Sequence, residues 1–415
     1  MFKFIIQFAI IFLLFLNNKK AKAGWFTSSG VLLGIYTVCS LMGIIELQMG
    51  DYREPYDDYY WWPMLEFDLI LLLFLLPFRF FKESSIQRFQ LPSIKFLNIF
   101  STIIIILSFY SILFFSGSAR NVLSIADLGA ARNAHNEGEM YFEAGIMATI
   151  ATVSAANYVF AIILYFIYKI IGGNKKRCVL LLISSISRPI SVLAFVGRDG
   201  IVFWIFTFVF CYAFFRKYMH EGLRKQIIRP LLLTGGALLI PFMMISIGRF
   251  WESGGGTGGS FISYLGHAFI QAPLYFGLPK KPVSIGCIFP LFYEITGITR
   301  QITYGVSGIL GEWIPWKFST FIVSFYVGMG LVGLIITGVL MFLFFRVTVG
   351  RSKIKLNFGQ FTIYMLYFQV ISEGVFYFCH ATRGGNLFIV TTLLLSVLFS
   401  NQSSSNKGIV LEKVY

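Results

Sequence analysis

Seven residues are candidates for chemistry in a chain built mostly from apolar runs: Arg188, Arg198, Arg249, His267, Glu294, Arg300 and Arg383. Five are arginines, and a guanidinium offers a planar fork that matches two phosphate oxygens at once. Arg188 stands inside an apolar run, in Ser187-Arg188-Pro189, where a charge is costly and therefore a functional candidate. Arg198 sits in Gly197-Arg198-Asp199-Gly200, a turn between two apolar runs, where it could meet a phosphate at headgroup level or simply pair with Asp199. Along one continuous helix Arg188 would lie about 15 Å below Arg198. His267, on an amphipathic stretch from Phe261 to Tyr275, could accept a proton from a hydroxyl as a neutral imidazole, or pack as an interfacial residue among aromatics. Arg249, Glu294 and Arg300 share with it the long segment 248–317. Tyr and Trp near Arg300 could stack on sugar faces or sit at an interface. Arg383, close to His380, completes a belt of outer guanidiniums.

Other clusters read as surface. The acids Asp51, Glu54, Asp57 and Asp58 with Arg53 could hold a divalent cation but read as hydrated, mutually repelling acids beside Tyr59 to Trp62, and His135, Glu137, Glu139 and Glu143 lack a strict ligand spacing; both sets read as solvated faces. The glycine-rich 253–260 segment has no GxxxxGK[ST] pattern and reads as a hinge or a plain connector. Five cysteines show no CxxC pair; Cys287 and Cys379 fall on one side of the membrane and could meet in a disulfide. No residue is assigned to a metal, and no cofactor is expected.

Apolar runs must position these residues. The 415-residue chain is 57% hydrophobic and only 13% charged, against about 25% charged in soluble domains. Runs long enough to cross a bilayer fall near 2–16, 25–49, 64–81, 96–116, 144–170, 178–196, 200–215, 230–247, 318–345, 358–378 and 387–400. The expected fold is therefore an all-α polytopic membrane protein of about 11 transmembrane helices. The first run, with Ala21-Lys22-Ala23 after it, also has the look of a signal peptide, but an uncleaved helix leaves its basic end inside. The net charge of +15 follows the spans. Lys and Arg concentrate in 17–23, 82–95, 171–177, 216–229 and 346–357, the positive-inside pattern of cytoplasmic loops, which argues against a nucleic-acid partner. The chain divides into a transmembrane bundle at 1–247, a large outer loop at 248–317, further spans at 318–400 and a Ser-rich cytoplasmic tail at 401–415, expected to be disordered. No internal repeat is visible.

Local pattern adds a resemblance. Val196-Gly197-Arg198-Asp199-Gly200 leading into an apolar span, one large outer loop in the second half, and the tract from Tyr304 to Leu340 resemble the Wzy-type O-antigen and capsule repeat-unit polymerases. Within that tract, Phe321 to Gly333 looks like the family's span after the large loop, but Val327 stands where an acidic residue is expected. The resemblance implies a GT-C-like membrane glycosyltransferase, metal-independent and inverting, at the outer face of the bacterial cytoplasmic (inner) membrane. It would join a growing glycan on undecaprenyl pyrophosphate to the next lipid-linked repeat unit, among membrane lipids and with a chain-length regulator as a possible partner. Arg198 matches the arginine of the family's GR tip, Arg249 and Arg300 correspond loosely to large-loop arginines, and His267 has no aligned counterpart. Guanidiniums would stabilise a pyrophosphate leaving group, and His267 or Glu294 would deprotonate the attacking hydroxyl.

Three alternatives remain. An O-antigen ligase has similar parts. A metal-dependent polyprenyl-phosphate-sugar transferase would use Asp57 and Asp58. A transporter or flippase of lipid-linked sugars would suit Arg188, although many transporters are built from repeats. The topology itself is testable: cysteines introduced in 216–229 should resist an impermeant thiol reagent in intact cells, while those in 248–317 react. Labelling within 216–229 would invert the orientation.

Overall fold

In the computed structural model, residues 1–22, 26–49, 61–125, 128, 131, 145–250, 257–277, 285–296, 319–350, 354–403 and 408–414 are described. They form α1 (Phe2–Lys22), α2 (Ser28–Met49), α3 (Trp61–Phe80), β1 (Arg88–Leu91), α4 (Ile94–Leu123), α5 (Ile146–Ala156), α6 (Tyr158–Ile170), α7 (Lys175–Ser185), α8 (Ser187–Ala194), α9 (Asp199–Phe215), α10 (Glu221–Phe250), α11 (Thr257–Gly277), α12 (Pro290–Thr296), α13 (Thr320–Thr348), β2 (Lys355–Asn357), α14 (Phe358–Glu373), α15 (Arg383–Ser403) and β3 (Ile409–Glu412).

Eight helical segments among the described residues are long and apolar enough to cross a membrane: α2, α4, α5–α6, α7–α8, α9, α10, α13 and α15. Three further expected spans are helices outside that set. The apolar part of α1 is shorter, at Phe2–Asn18. α14 has 16 residues, and α3 carries Glu66, Asp68 and Arg79. Side chains such as Leu113 (73% exposed) and Leu233 (76%) stand open, which suits lipid as solvent far better than water. The protein is thus all-α apart from short strands, and multi-pass by composition.

Contacts group the chain into two compact units that cut across the sequence segments: Met1–Ile86 with Gly258–Ser400, and Gln87–Thr257 with Asn401–Tyr415. In the first unit α14 is buried on every face, as expected of a helix apolar all round. The Tyr36 hydroxyl donates to Ile371 O at 2.8 Å, and the Tyr367 hydroxyl to Phe74 O at 2.9 Å. At one end of the unit, the Ser28 amide donates to Glu83 at 3.0 Å, so the start of α2 meets the segment after α3. Close helix approach depends on small residues. A β-carbon at Gly359 would collide with Ser396 O of α15, and one at Gly266 of α11 would collide with the Gly43 amide nitrogen of α2. Such small-residue crossings bring backbones together where hydrocarbon gives no hydrophobic drive.

In the second unit, α6 is the buried core, with Tyr158 through Tyr168 all inside. Pro189 has no N–H with which to close a helical bond to Ser185 O, and the chain breaks there into α7 and α8. Trp204 Nε1 donates to Ser185 Oγ at 2.9 Å across the break. The expectation of a disordered tail fails: β3 pairs antiparallel with β1, in the register Arg88↔Glu412 to Leu91↔Ile409. Lys413 N donates to Gln87 O and Val414 N to Lys217 O. The alternation of Ile409, Val410 and Leu411 beyond the serines gives that strand its apolar side, with Leu411 buried. The tail therefore joins two basic loops, 82–95 and 216–229, that charge bias had already assigned to one side.

The α2–α11 crossing gives a stability test. Gly266→Val should cost at least about 1–3 kcal/mol through overpacking. Gly34→Ala, whose added carbon would meet only Phe15 at 3.7 Å, should be tolerated. Thermal unfolding in detergent reads both, and equal behaviour of the two variants would remove the crossing from the account.

Candidate functional site

The Gly43–Gly266 crossing brings His267 to Glu46, three residues past Gly43 on α2. His267 Nδ1 lies 3.1 Å from Glu46 Oε1, between side chains 6% and 4% exposed. A proton on Nδ1 donated to the carboxylate makes Nε2 the basic nitrogen, the arrangement that orients a histidine as a base. Glu46 Oε2 is buried and has no hydrogen-bond partner among the described residues, a condition that costs free energy unless a further donor arrives. Sequence reasoning missed Glu46. The available signal was an acid inside an apolar run, the same signal that marked Arg188. His267 itself is corrected in setting: it lies in a helix buried from Gly266 to Pro273, not on an amphipathic stretch at a loop surface. Thr257 to Ser260 are the first turn of that helix, so half of the glycine-rich segment is helical rather than a hinge.

A second acid–histidine constellation lies at the end of α14 in the same unit. Cys379 Sγ is 2.8 Å from Glu373 Oε2 and 3.0 Å from His380 Nδ1. Gln369 Nε2 donates to the other Glu373 oxygen at 3.1 Å. The His380 ring stacks on Phe388 with centroids 5.8 Å apart. Cys379 forms no disulfide among the described residues, and the side chain of Cys287, weighed as its partner, lies outside them. Sequence reasoning assigned none of these three to a site, because six positions and a turn separate Glu373 from Cys379. Arg383 begins α15 and is exposed.

In the second unit Arg198 is only 6% exposed. Val196 takes a left-handed φ of 54°, and Gly197 N donates to Val192 O at 2.9 Å, so the chain reverses sharply after α8. Asp199 enters the first turn of α9, where the helix dipole favours an acid. Arg198 turns inward, donating from Nη1 to Ser246 Oγ of α10 at 2.7 Å. Its guanidinium lies 5.7 Å from the Phe242 ring centroid. The open headgroup-level tip is therefore corrected to a buried contact with α10. The 15 Å separation from Arg188 is corrected too. A β-carbon at Gly200 would lie 3.1 Å from Arg188 O, because α8 ends after eight residues and α9 returns beside it. Arg188 is half-buried.

Arg249 lies in the last turn of α10 and Glu294 on α12, with their side chains outside the described residues; Arg300 is outside altogether, as are the acids at 51–58 and the 135–143 set. Thus Arg188, Arg198 and the backbone of Arg249 fall on α8 to α10 of one unit, while His267, Glu294 and Arg383 fall on α11, α12 and α15 of the other. Comparisons with protein-family models, with curated proteins and with solved structures find no match.

The Arg198 contact separates two roles. Arg198→Lys should lose about 100- to 1,000-fold in activity if the fork acts on a charged group in the transition state, while Ser246→Ala, which removes one hydrogen bond, should cost about 0.5–1.5 kcal/mol of stability. A well-expressed Arg198→Lys protein with full activity would leave Arg198 a structural residue of the turn.

Proposed function

We propose that this protein polymerises undecaprenyl-pyrophosphate-linked oligosaccharide repeat units into O-antigen or capsular polysaccharide at the outer face of the bacterial cytoplasmic membrane. The observation that carries the proposal is the buried His267–Glu46 pair, joined to the sequence resemblance of the Val196–Gly200 turn. An acceptor sugar hydroxyl must lose its proton as it attacks the anomeric carbon of the donor. His267 takes that proton on Nε2, and Glu46 positions the ring and stabilises the imidazolium that forms. The bond from the anomeric carbon to the pyrophosphate oxygen breaks, and a guanidinium can stabilise the departing charge without a metal, the role that the resemblance implies for Arg198. Inversion follows from a single displacement. Since His267 is 4% exposed, the acceptor must reach it from within a helical bundle rather than across a loop surface. That suits substrates held by lipid tails in the bilayer.

One observation supports the grouping of the basic segments on one side. The contact of the tail with the 82–95 and 216–229 segments groups parts that the positive-inside pattern puts in the cytoplasm. Glu46, at the opposite end of α2 from Ser28, then falls on the outer side. The ligase and the flippase are separated from a polymerase by one gel. Glu46→Gln and His267→Gln should each convert the surface polysaccharide ladder into a single-repeat band, with turnover down about 100- to 10,000-fold and membrane protein levels unchanged by immunoblot. Loss of every attached repeat in those variants would instead indicate a ligase or flippase, and an intact ladder would remove the dyad from the chemistry.

A further inference from the structure

We propose that Glu373, Cys379 and His380 form a zinc site that braces the turn between α14 and α15. The site goes beyond the glycosyl-transfer reading and does not depend on it. One oxygen, one sulfur and one imidazole nitrogen are each available, and their ligand atoms all lie within 4.8 Å of one another. The nearest pairs stand at 2.8 and 3.0 Å. Around a tetrahedral ion with bonds of about 2.0 to 2.3 Å, with water in the fourth position, these pairs would open by about 0.5 to 0.7 Å. Glu373 and His380 are 4% and 5% exposed, so the ligands are sheltered. A thiolate with imidazole and carboxylate selects a borderline-soft ion; magnesium and calcium prefer oxygen alone.

The surroundings hold the ligands as an outer shell would. Gln369, one turn before Glu373 on α14, donates to the carboxylate oxygen turned away from the thiol. Asn386 Nδ2 donates to His380 O at 2.8 Å and to Ile288 O at 3.0 Å, while its Oδ1 accepts from Leu291 N at 3.2 Å. The His380 ring lies between Phe378 and Phe388. Ligands fixed by such partners bind metal more tightly than floppy ones. Through Asn386 the same turn anchors the 285–291 segment and so the start of α12, which carries Glu294. An ion here would lock the last turn of α14, the 374–382 connection and α12 into one piece. It would also keep Cys379 as a metal-bound thiolate, protected from pairing with Cys287, whose neighbour Ile288 shares the Asn386 amide with His380.

The test uses the full-length protein purified in detergent without chelator. Elemental analysis should find one zinc per chain, lost in Cys379→Ser and in His380→Ala. Cobalt titrated into chelator-stripped wild-type protein should give a thiolate-to-cobalt charge-transfer band that Cys379→Ser lacks. Gln369→Ala should keep the band and weaken affinity about 10- to 100-fold. Because the wild-type cobalt titration needs no variant, misfolding of a mutant cannot stand in for a result. Absence of zinc together with a failed cobalt titration would overturn the site, as would zinc content equal in wild type and both ligand variants, or a Cys287–Cys379 disulfide in the purified protein. The glycan ladder plays no part in these readouts, so a failed polymerase reading and a failed metal site remain distinguishable.

Discussion

A charge inside this protein must find its partner within the protein, because there is no water in the hydrocarbon region to supply one. That constraint explains which side chains meet. Glu46 and His267 face each other at 3.1 Å. Asp68 accepts from Gln7 Nε2 at 2.7 Å. Glu83, in the 82–95 segment outside the spans, is buried too and accepts from the amide of Ser28, and Arg198 reaches Ser246. Each bond joins elements that would otherwise slide past one another on apolar side chains alone. Removing one member of a buried ionic pair typically costs about 3–5 kcal/mol, because the other is left uncompensated. The same contacts therefore set register and chemistry together.

Backbone proximity is the second requirement, and glycine meets it. The Glu46–His267 pair exists because α2 and α11 touch at Gly43 and Gly266; a larger residue at either would move the imidazole away from the carboxylate. α14 and α15 approach through Gly359 and the serines of α15 in the same way, at the end of α14 opposite the turn that holds Glu373, Cys379 and His380. Small residues next to functional ones make the site sensitive to substitutions that carry no chemistry themselves. The reversal at Val196 and Gly197 has the corresponding effect in the other unit. It turns Arg198 inward and brings the carbonyl of Arg188 against Gly200.

The amino-acid sequence by itself determined the helical, multi-pass class, because hydropathy over about 20 residues is a local property and most spans could be placed without knowing what they touch. It also located the sharp turn at 196–200, and it picked out Arg188 by the cost of a charge in an apolar run, Arg198 by its place at that turn and His267 by the amphipathic stretch around it. It misjudged the tail, since serine-rich composition at 401–406 masked a short apolar strand whose partner, β1, lies more than three hundred positions earlier. Only tertiary structure decided the partners. Glu46 and His267 are 221 positions apart, and no periodicity or spacing rule links such residues. Cys379 and His380 reach Glu373 only because the chain turns back after α14. Burial of a charge sets the need for a neighbour in the sequence; which neighbour answers depends on how the helices pack.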